Sequence, residues 1–156
     1  DQLMSFSQQL YIDALTGAYN RRFWEDKMKS FSGIAGIALI DLDDLKLYND
    51  TFGHSAGDAA LKALVRITKK CIRRTDKLIR YGGDEFLLIM PNVSSSIFGE
   101  KLRTIKEHIR EAEFPDFPGL KISASIGGTM LYNGSIEEVV SRADKLMYLA
   151  KCTRSL

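Results

Sequence analysis

The segment "YGGDEF", Tyr81 to Phe86, sets Gly82 and Gly83 ahead of two adjacent carboxylates, Asp84 and Glu85, between the apolar runs "KLIR" and "FLLIM". Gly-Gly is turn chemistry: it reverses a hairpin and lets the backbone approach a bound group closely. Taken alone, the two acids would be solvated turn residues. A second acidic pair, Asp41 and Asp43, follows the apolar run "GIAGIALIDL". Whether these four groups do chemistry depends on whether the fold brings the two segments together.

The elements that must position them follow from hydrophobic periodicity. Residues 34 to 41 read as a strand buried on both faces, and "DDLKLYND" as a short helix or turn. Leu61, Leu64, Thr68, Cys71 and Ile72 recur at helical spacing between Ser55 and about Arg74, which makes Cys71 a core filler. A hairpin around Gly82-Gly83 ends at Pro91, and a helix follows through Phe98, Leu102, Ile105 and Ile109. Alternation from Leu120 to Ile126 predicts a half-buried strand, Asn133-Gly134 a turn, and Ser135 with Glu138 the capping box of a last helix. Near the start, Asn20 is expected to cap a helix carrying Phe23, Trp24 and Met28 into the core.

Strand, helix, strand, hairpin, strand, helix, strand is the split β-α-β order of α+β, ferredoxin-like folds, with a largely antiparallel sheet flanked by helices. A right-handed crossover leaves room for the third strand beside the first, antiparallel to it. Asp41 and Asp43 are then expected at the same sheet rim as Asp84 and Glu85. Crowded carboxylates repel one another unless a cation sits among them. Hard oxygen donors without His or Cys point to Mg²⁺ or Mn²⁺, ions that complete their shells with water and substrate phosphate. Phosphoryl or nucleotidyl transfer is the chemistry this implies.

Composition excludes other classes. The chain has 156 residues, 45% of them hydrophobic, which suits one globular domain. With 22 Lys+Arg against 20 Asp+Glu, the net charge of +2 lacks the basic stripe of a nucleic-acid binder. Two cysteines without paired spacing support neither disulfides nor zinc, so a reducing, cytoplasmic setting is expected. With Asp1 in place of a methionine, the chain is expected to be a piece of a longer protein. An upstream sensor or membrane anchor belongs to that expectation.

"YGGDEF", with "DALTGAYNRR", "DLDDLKLYNDTFGHSAGD", "SIGG" and "ADKLMYLAK" in this order, resembles the GGDEF domains of bacterial diguanylate cyclases, from about Asp13 to Lys151. The resemblance implies a palm-like, nucleotidyl cyclase-like fold that joins two GTP molecules into cyclic di-GMP and releases pyrophosphate. Residues 1–12 would end a helical linker and 13–156 form the catalytic domain. The resemblance assigns metal binding, two Mg²⁺ or Mn²⁺ per site, to Asp41, the Leu42 carbonyl and Asp84. Glu85 stands as metal ligand or as base for the attacking hydroxyl. Asn49 and Asp58 match the pair that reads guanine; apart from the motif, Asp58 could instead complete a Ser55-x-x-Asp58 capping box. Lys46 and Lys151 match phosphate contacts, aided by the turn of Asp43, Asp44 and Leu45, and by Gly82 and Gly83 at close approach. Arg73-x-x-Asp76 falls at the spacing of the family's product-binding inhibitory motif. A homodimer is implied, because two GTP molecules must face each other.

The chain departs from the pattern in two places. Lys151 is followed by "CTRSL", where relatives carry Gly-Arg-Asn, with Arg154 one place early and Ser155 at the arginine position. Leu45 replaces the usual phenylalanine. The alternative to a cyclase is therefore a receptor that binds GTP or cyclic di-GMP without turnover. A template-dependent polymerase would need a basic channel and finger and thumb domains for which the chain has no room.

Overall fold

The structure, a computed structural model, describes residues 9–154. Most of the expected linker helix, residues 1–8, lies outside the described residues. The sheet has four strands in the order β2-β3-β1-β4, all paired antiparallel: β1 (Ile34–Leu42), β2 (Lys77–Arg80), β3 (Glu85–Pro91) and β4 (Ala124–Tyr132). The continuous apolar run makes β1 the central strand, buried at every position after Ile34. β3 lies between β1 and β2, the insertion expected of the split unit.

Alternate side chains of each strand face opposite layers. Ala38, Ile40, Phe86 and Leu88 pack with Leu61 and Leu64 of α3 (His54–Cys71) and Ile105 of α4 (Ser95–Glu111). Ile37, Leu39, Leu87 and Ile89 pack with Val139, Ala143 and Met147 of α5 (Ile136–Arg154). Trp24 and Met28 join this second layer from a π-helical turn, Trp24–Met28, that continues α1 (Arg21–Phe23). Each of these Val, Leu, Ile, Phe and Met side chains contributes about 1.5–3 kcal/mol by leaving water. Asn20 caps α1 as expected, its Oδ1 accepting from Phe23 N at 3.0 Å. The short α2 (Leu45–Phe52) leads from β1 into α3.

The last strand lies further along the chain than the alternation of residues 120–126 predicts. Leu120 and Ile122 are buried, yet pairing starts only at Ala124, because Ser123 bonds instead to the loop after β1: Asp43 N donates to its carbonyl at 2.9 Å. Gly127 and Gly128 do not end the strand but sit within it. A Cβ at Gly127 would strike the main chain of α5 at Ala143 and Met147, so this residue lets helix and sheet approach. The Ser55-x-x-Asp58 capping box does not form either: α3 starts at His54, with Gly53 at its N-cap and no side-chain cap.

Candidate active site

The β1–β3 register sets Asp41 directly opposite Glu85, and Leu42 N donates to the Asp84 carbonyl at 3.3 Å. The sheet thus brings Asp41, Asp84 and Glu85 to one rim, as the topology requires. Asp41 is buried there, and its Oδ1 has no hydrogen-bond partner among the described residues. Burial first, and then the nearby Asp84 charge, push its carboxyl up to about 7 against the opposing pull of Lys151. Burial, then Asp144 and Asp84, likewise raise Glu85.

Asp43, expected as one of four crowded acids, has its charge satisfied within the fold and is 1% exposed. Ser125 Oγ donates to its Oδ1 and Ser123 Oγ to its Oδ2, both at 2.7 Å, and Lys151 Nζ to Oδ1 at 3.2 Å. Burial alone would raise this carboxyl, but the hydroxyls of Ser125 and Ser123 and the Lys151 ammonium outweigh it and hold it below the usual range. Its amide is committed to Ser123, so of the turn expected to cradle phosphate that N–H is already used. Lys151 reaches the same corner, 3.5 Å from both Asp41 Oδ2 and the Leu42 carbonyl.

Two arginines hold the glycine turn through the carbonyls of Tyr81 and Gly83. Arg21 stacks on the Tyr81 ring at 3.9 Å and donates to the Tyr81 carbonyl at 2.9 Å. Arg80 donates through Nη2 and Nε to the Gly83 carbonyl, at 2.7 and 3.1 Å, and pairs with Asp13 at 3.2 Å. Asp13 in turn accepts from Thr16 Oγ1 at 2.7 Å, within the "DALTG" segment. A cleft of ≈ 340 Å³, lined by Arg21, Trp24, Tyr81, Glu85 and Asp144, opens beside the turn. Arg80 and Ser123 lie outside the sequence motifs, and Arg21, Ser125 and Asp144 lie within them without an assigned role; only pairing and crossing of distant segments gives these residues partners at the site.

Asn49, on α2, lies against Gly57 of α3, while Asp58 and Lys46 are exposed. Arg73 and Asp76 close on each other. Arg73 Nη2 lies 2.7 Å from Asp76 Oδ1, Arg73 N donates to Oδ2 at 2.7 Å, and the Asp76 side chain is fully buried. Beside them a cleft of ≈ 390 Å³ is lined by Tyr19, Lys69, Arg74 and Leu78 as well.

Among the described residues no group of three or more His, Cys, Asp or Glu is arranged to enclose a metal ion. The donors at the rim nevertheless fit a divalent cation. A buried, unpartnered Asp41 oxygen beside a second carboxylate is a site whose repulsion an ion would relieve, and a hard ion held by few protein ligands draws the rest of its shell from water and phosphate.

An antiparallel sheet with its carboxylates at the rim and helices on both faces is the nucleotidyl cyclase-like, palm-like architecture. The family described as "Diguanylate cyclase, GGDEF domain" matches residues 10–155, and the chain belongs to it. It is 38% identical over 119 residues to diguanylate cyclase A of Treponema denticola, covering 74% of this chain and 32% of that protein. It is 32% identical to diguanylate cyclase DgcS of Shewanella oneidensis, covering 97% of this chain and 53% of that one. The chain thus spans about a third to a half of these curated relatives. Among solved structures, the coiled coil and GGDEF domain of DgcB from Caulobacter crescentus, in complex with c-di-GMP, superposes with a TM-score of 0.88 at 23% identity, covering 97% of this chain and 86% of that one. Diguanylate cyclase SiaD, solved with its activator SiaC from Pseudomonas aeruginosa, gives a TM-score of 0.83 at 29% identity, over 98% of this chain and 62% of that one.

Proposed function

We propose that this chain is the catalytic domain of a diguanylate cyclase, which condenses two GTP molecules into cyclic di-GMP. The observation that carries the reading is the sheet register, which sets a buried, unpartnered Asp41 oxygen opposite Glu85 and beside Asp84. Asp41, the Leu42 carbonyl and Asp84 would hold Mg²⁺ or Mn²⁺, two ions per site. When bound, these neutralise the charge of the triphosphate and of the departing pyrophosphate.

The chain's own residues do the remainder. Asn49 and Asp58 orient guanine, and Lys46 and Lys151 meet the phosphates. Glu85, its carboxyl raised by burial and by Asp144, is suited to take the proton of the 3′-hydroxyl. That oxygen forms a bond to the α-phosphorus of the facing GTP, the α–β bridging bond breaks, and pyrophosphate leaves. Two such steps close the ring. Each chain presents one nucleotide, so the competent species is a two-fold homodimer, with residues 1–12 as the end of a linker through which an upstream sensor acts. Arg73 and Asp76, already oriented by each other, form the product-binding inhibitory pair.

The test is incubation of the concentrated chain with GTP and Mg²⁺, followed by mass spectrometry. Cyclic di-GMP and pyrophosphate are expected in a 1:2 ratio. Binding of cyclic di-GMP without product, even in an enforced dimer, would favour the receptor.

A further inference from the structure

Gly57 occupies the first turns of α3, a helix of 18 residues, where glycine is the least favourable residue after proline. Its φ is not in the left-handed region, so the backbone there does not require glycine. What requires it is Asn49. A Cβ built on Gly57 would collide with Asn49 Oδ1 and come within 2.8 Å of Cγ and 3.0 Å of Nδ2, the whole carboxamide. The same Oδ1 is buried and has no hydrogen-bond partner among the described residues. A buried carbonyl oxygen left unpaired costs stability. The fold therefore holds this amide in a position that the protein itself does not reward.

We infer that Gly57 is a specificity-determining positioning residue: its missing side chain is the seat that fixes the Asn49 carboxamide for reading the nucleobase. The inference rests on the assignment of Asn49 to guanine made above. Gly57 does not touch the nucleotide; it acts through Asn49. An alanine there leaves the backbone undisturbed, because the atoms it meets are the far end of a side chain. The carboxamide must swing away, and its hydrogen bonds to the base are lost with it. Gly99 of α4 supplies the contrast, since a Cβ there meets only Arg103 Nη1, at an ordinary 3.7 Å.

The test is calorimetric titration of the intact chain with Mg²⁺ and α,β-methylene-GTP or α,β-methylene-ATP, neither of which can turn over. Gly57→Ala is expected to weaken binding of the guanosine analogue about tenfold, the loss of one good hydrogen-bonding contact, and to shrink the preference over the adenosine analogue. Gly99→Ala should leave both unchanged. In an Asn49→Ala background, Gly57→Ala should have no further effect on binding. If Gly57→Ala lowers the melting temperature, adding Asn49→Ala should restore it, because the new methyl then has room. Wild-type affinity in Gly57→Ala overturns the inference, as does an equal loss in the Asn49→Ala background or a melting temperature that the second change fails to rescue. A wild-type chain that binds neither analogue overturns the functional reading itself and this inference with it. That outcome is distinct from a wild type that binds and a Gly57 variant that binds as well.

Discussion

Asp41 is the residue at which the fold works against itself. Its carboxyl titrates near 7 in the folded chain and at its ordinary 3.8 when unfolded. A raised acid favours the folded state fully only below the unfolded value, so stability declines as pH rises from about 4 to about 7. Asp41→Asn should therefore raise the melting temperature of the metal-free chain at pH 8 and do little at pH 4. Added Mg²⁺ should stabilise the wild type and leave the variant unmoved. Thermal melts at the two pH values, with and without Mg²⁺, check this; an asparagine that destabilises equally at both would contradict it. Asp43 is its counterpart. Held low by two hydroxyls and Lys151, it favours the fold above pH 4 and loses that contribution on acidification through its depressed pKa. Ser125→Ala should cost about 1–3 kcal/mol in urea denaturation at pH 7, because it removes a donor from a buried charge.

At the scale of elements, the hairpin is fastened rather than merely turned. Arg80 links the Gly83 carbonyl to Asp13, and Tyr19 N donates to the Leu78 carbonyl at 3.0 Å, so the "DALTG" segment is stitched to β2 and to the tip that carries Asp84. Arg80→Ala should cost about 1 kcal/mol of stability, since the Asp13 pair is partly exposed, yet lower turnover about 100-fold if the tip shifts by an ångström. A denaturation curve and an initial rate separate the two effects; parallel small losses would mean the clasp is only structural. Much at this scale was legible in advance, because β1 is a continuous apolar run and the strand order leaves one place for β3. The start of β4 was not. Ser123 has a competing partner, Asp43, that is 80 positions away in sequence, and Gly127 is a seat for α5 that alternation does not mark. The acidic rim was readable from strand order, whereas the sequestering of Asp43 depended on side-chain hydroxyls that no periodicity marks.

At the scale of the whole molecule, no helix of the described residues is long and apolar enough to cross a membrane. With the proposed homodimer as the competent species, the rate per chain should rise with protein concentration until the dimer saturates; a constant specific activity across a dilution series would contradict the dimer requirement. The Arg73–Asp76 pair limits how product inhibition can be tested. Asp76 is fully buried at its side chain, while Arg73 is 46% exposed, so Arg73→Ala strips a partner from a buried carboxylate and should itself destabilise the chain by about 1–3 kcal/mol. Relief of inhibition in that variant is meaningful only below its melting transition.

The central claim is that Asp41 and Asp84 hold a divalent ion against the triphosphate, and Mn²⁺ titration read by electron paramagnetic resonance in the presence of α,β-methylene-GTP addresses it directly. The account predicts tight, nucleotide-dependent Mn²⁺ binding by the wild type, weakened at least tenfold in Asp41→Asn and in Asp84→Asn. Equal Mn²⁺ affinity in all three proteins would contradict it.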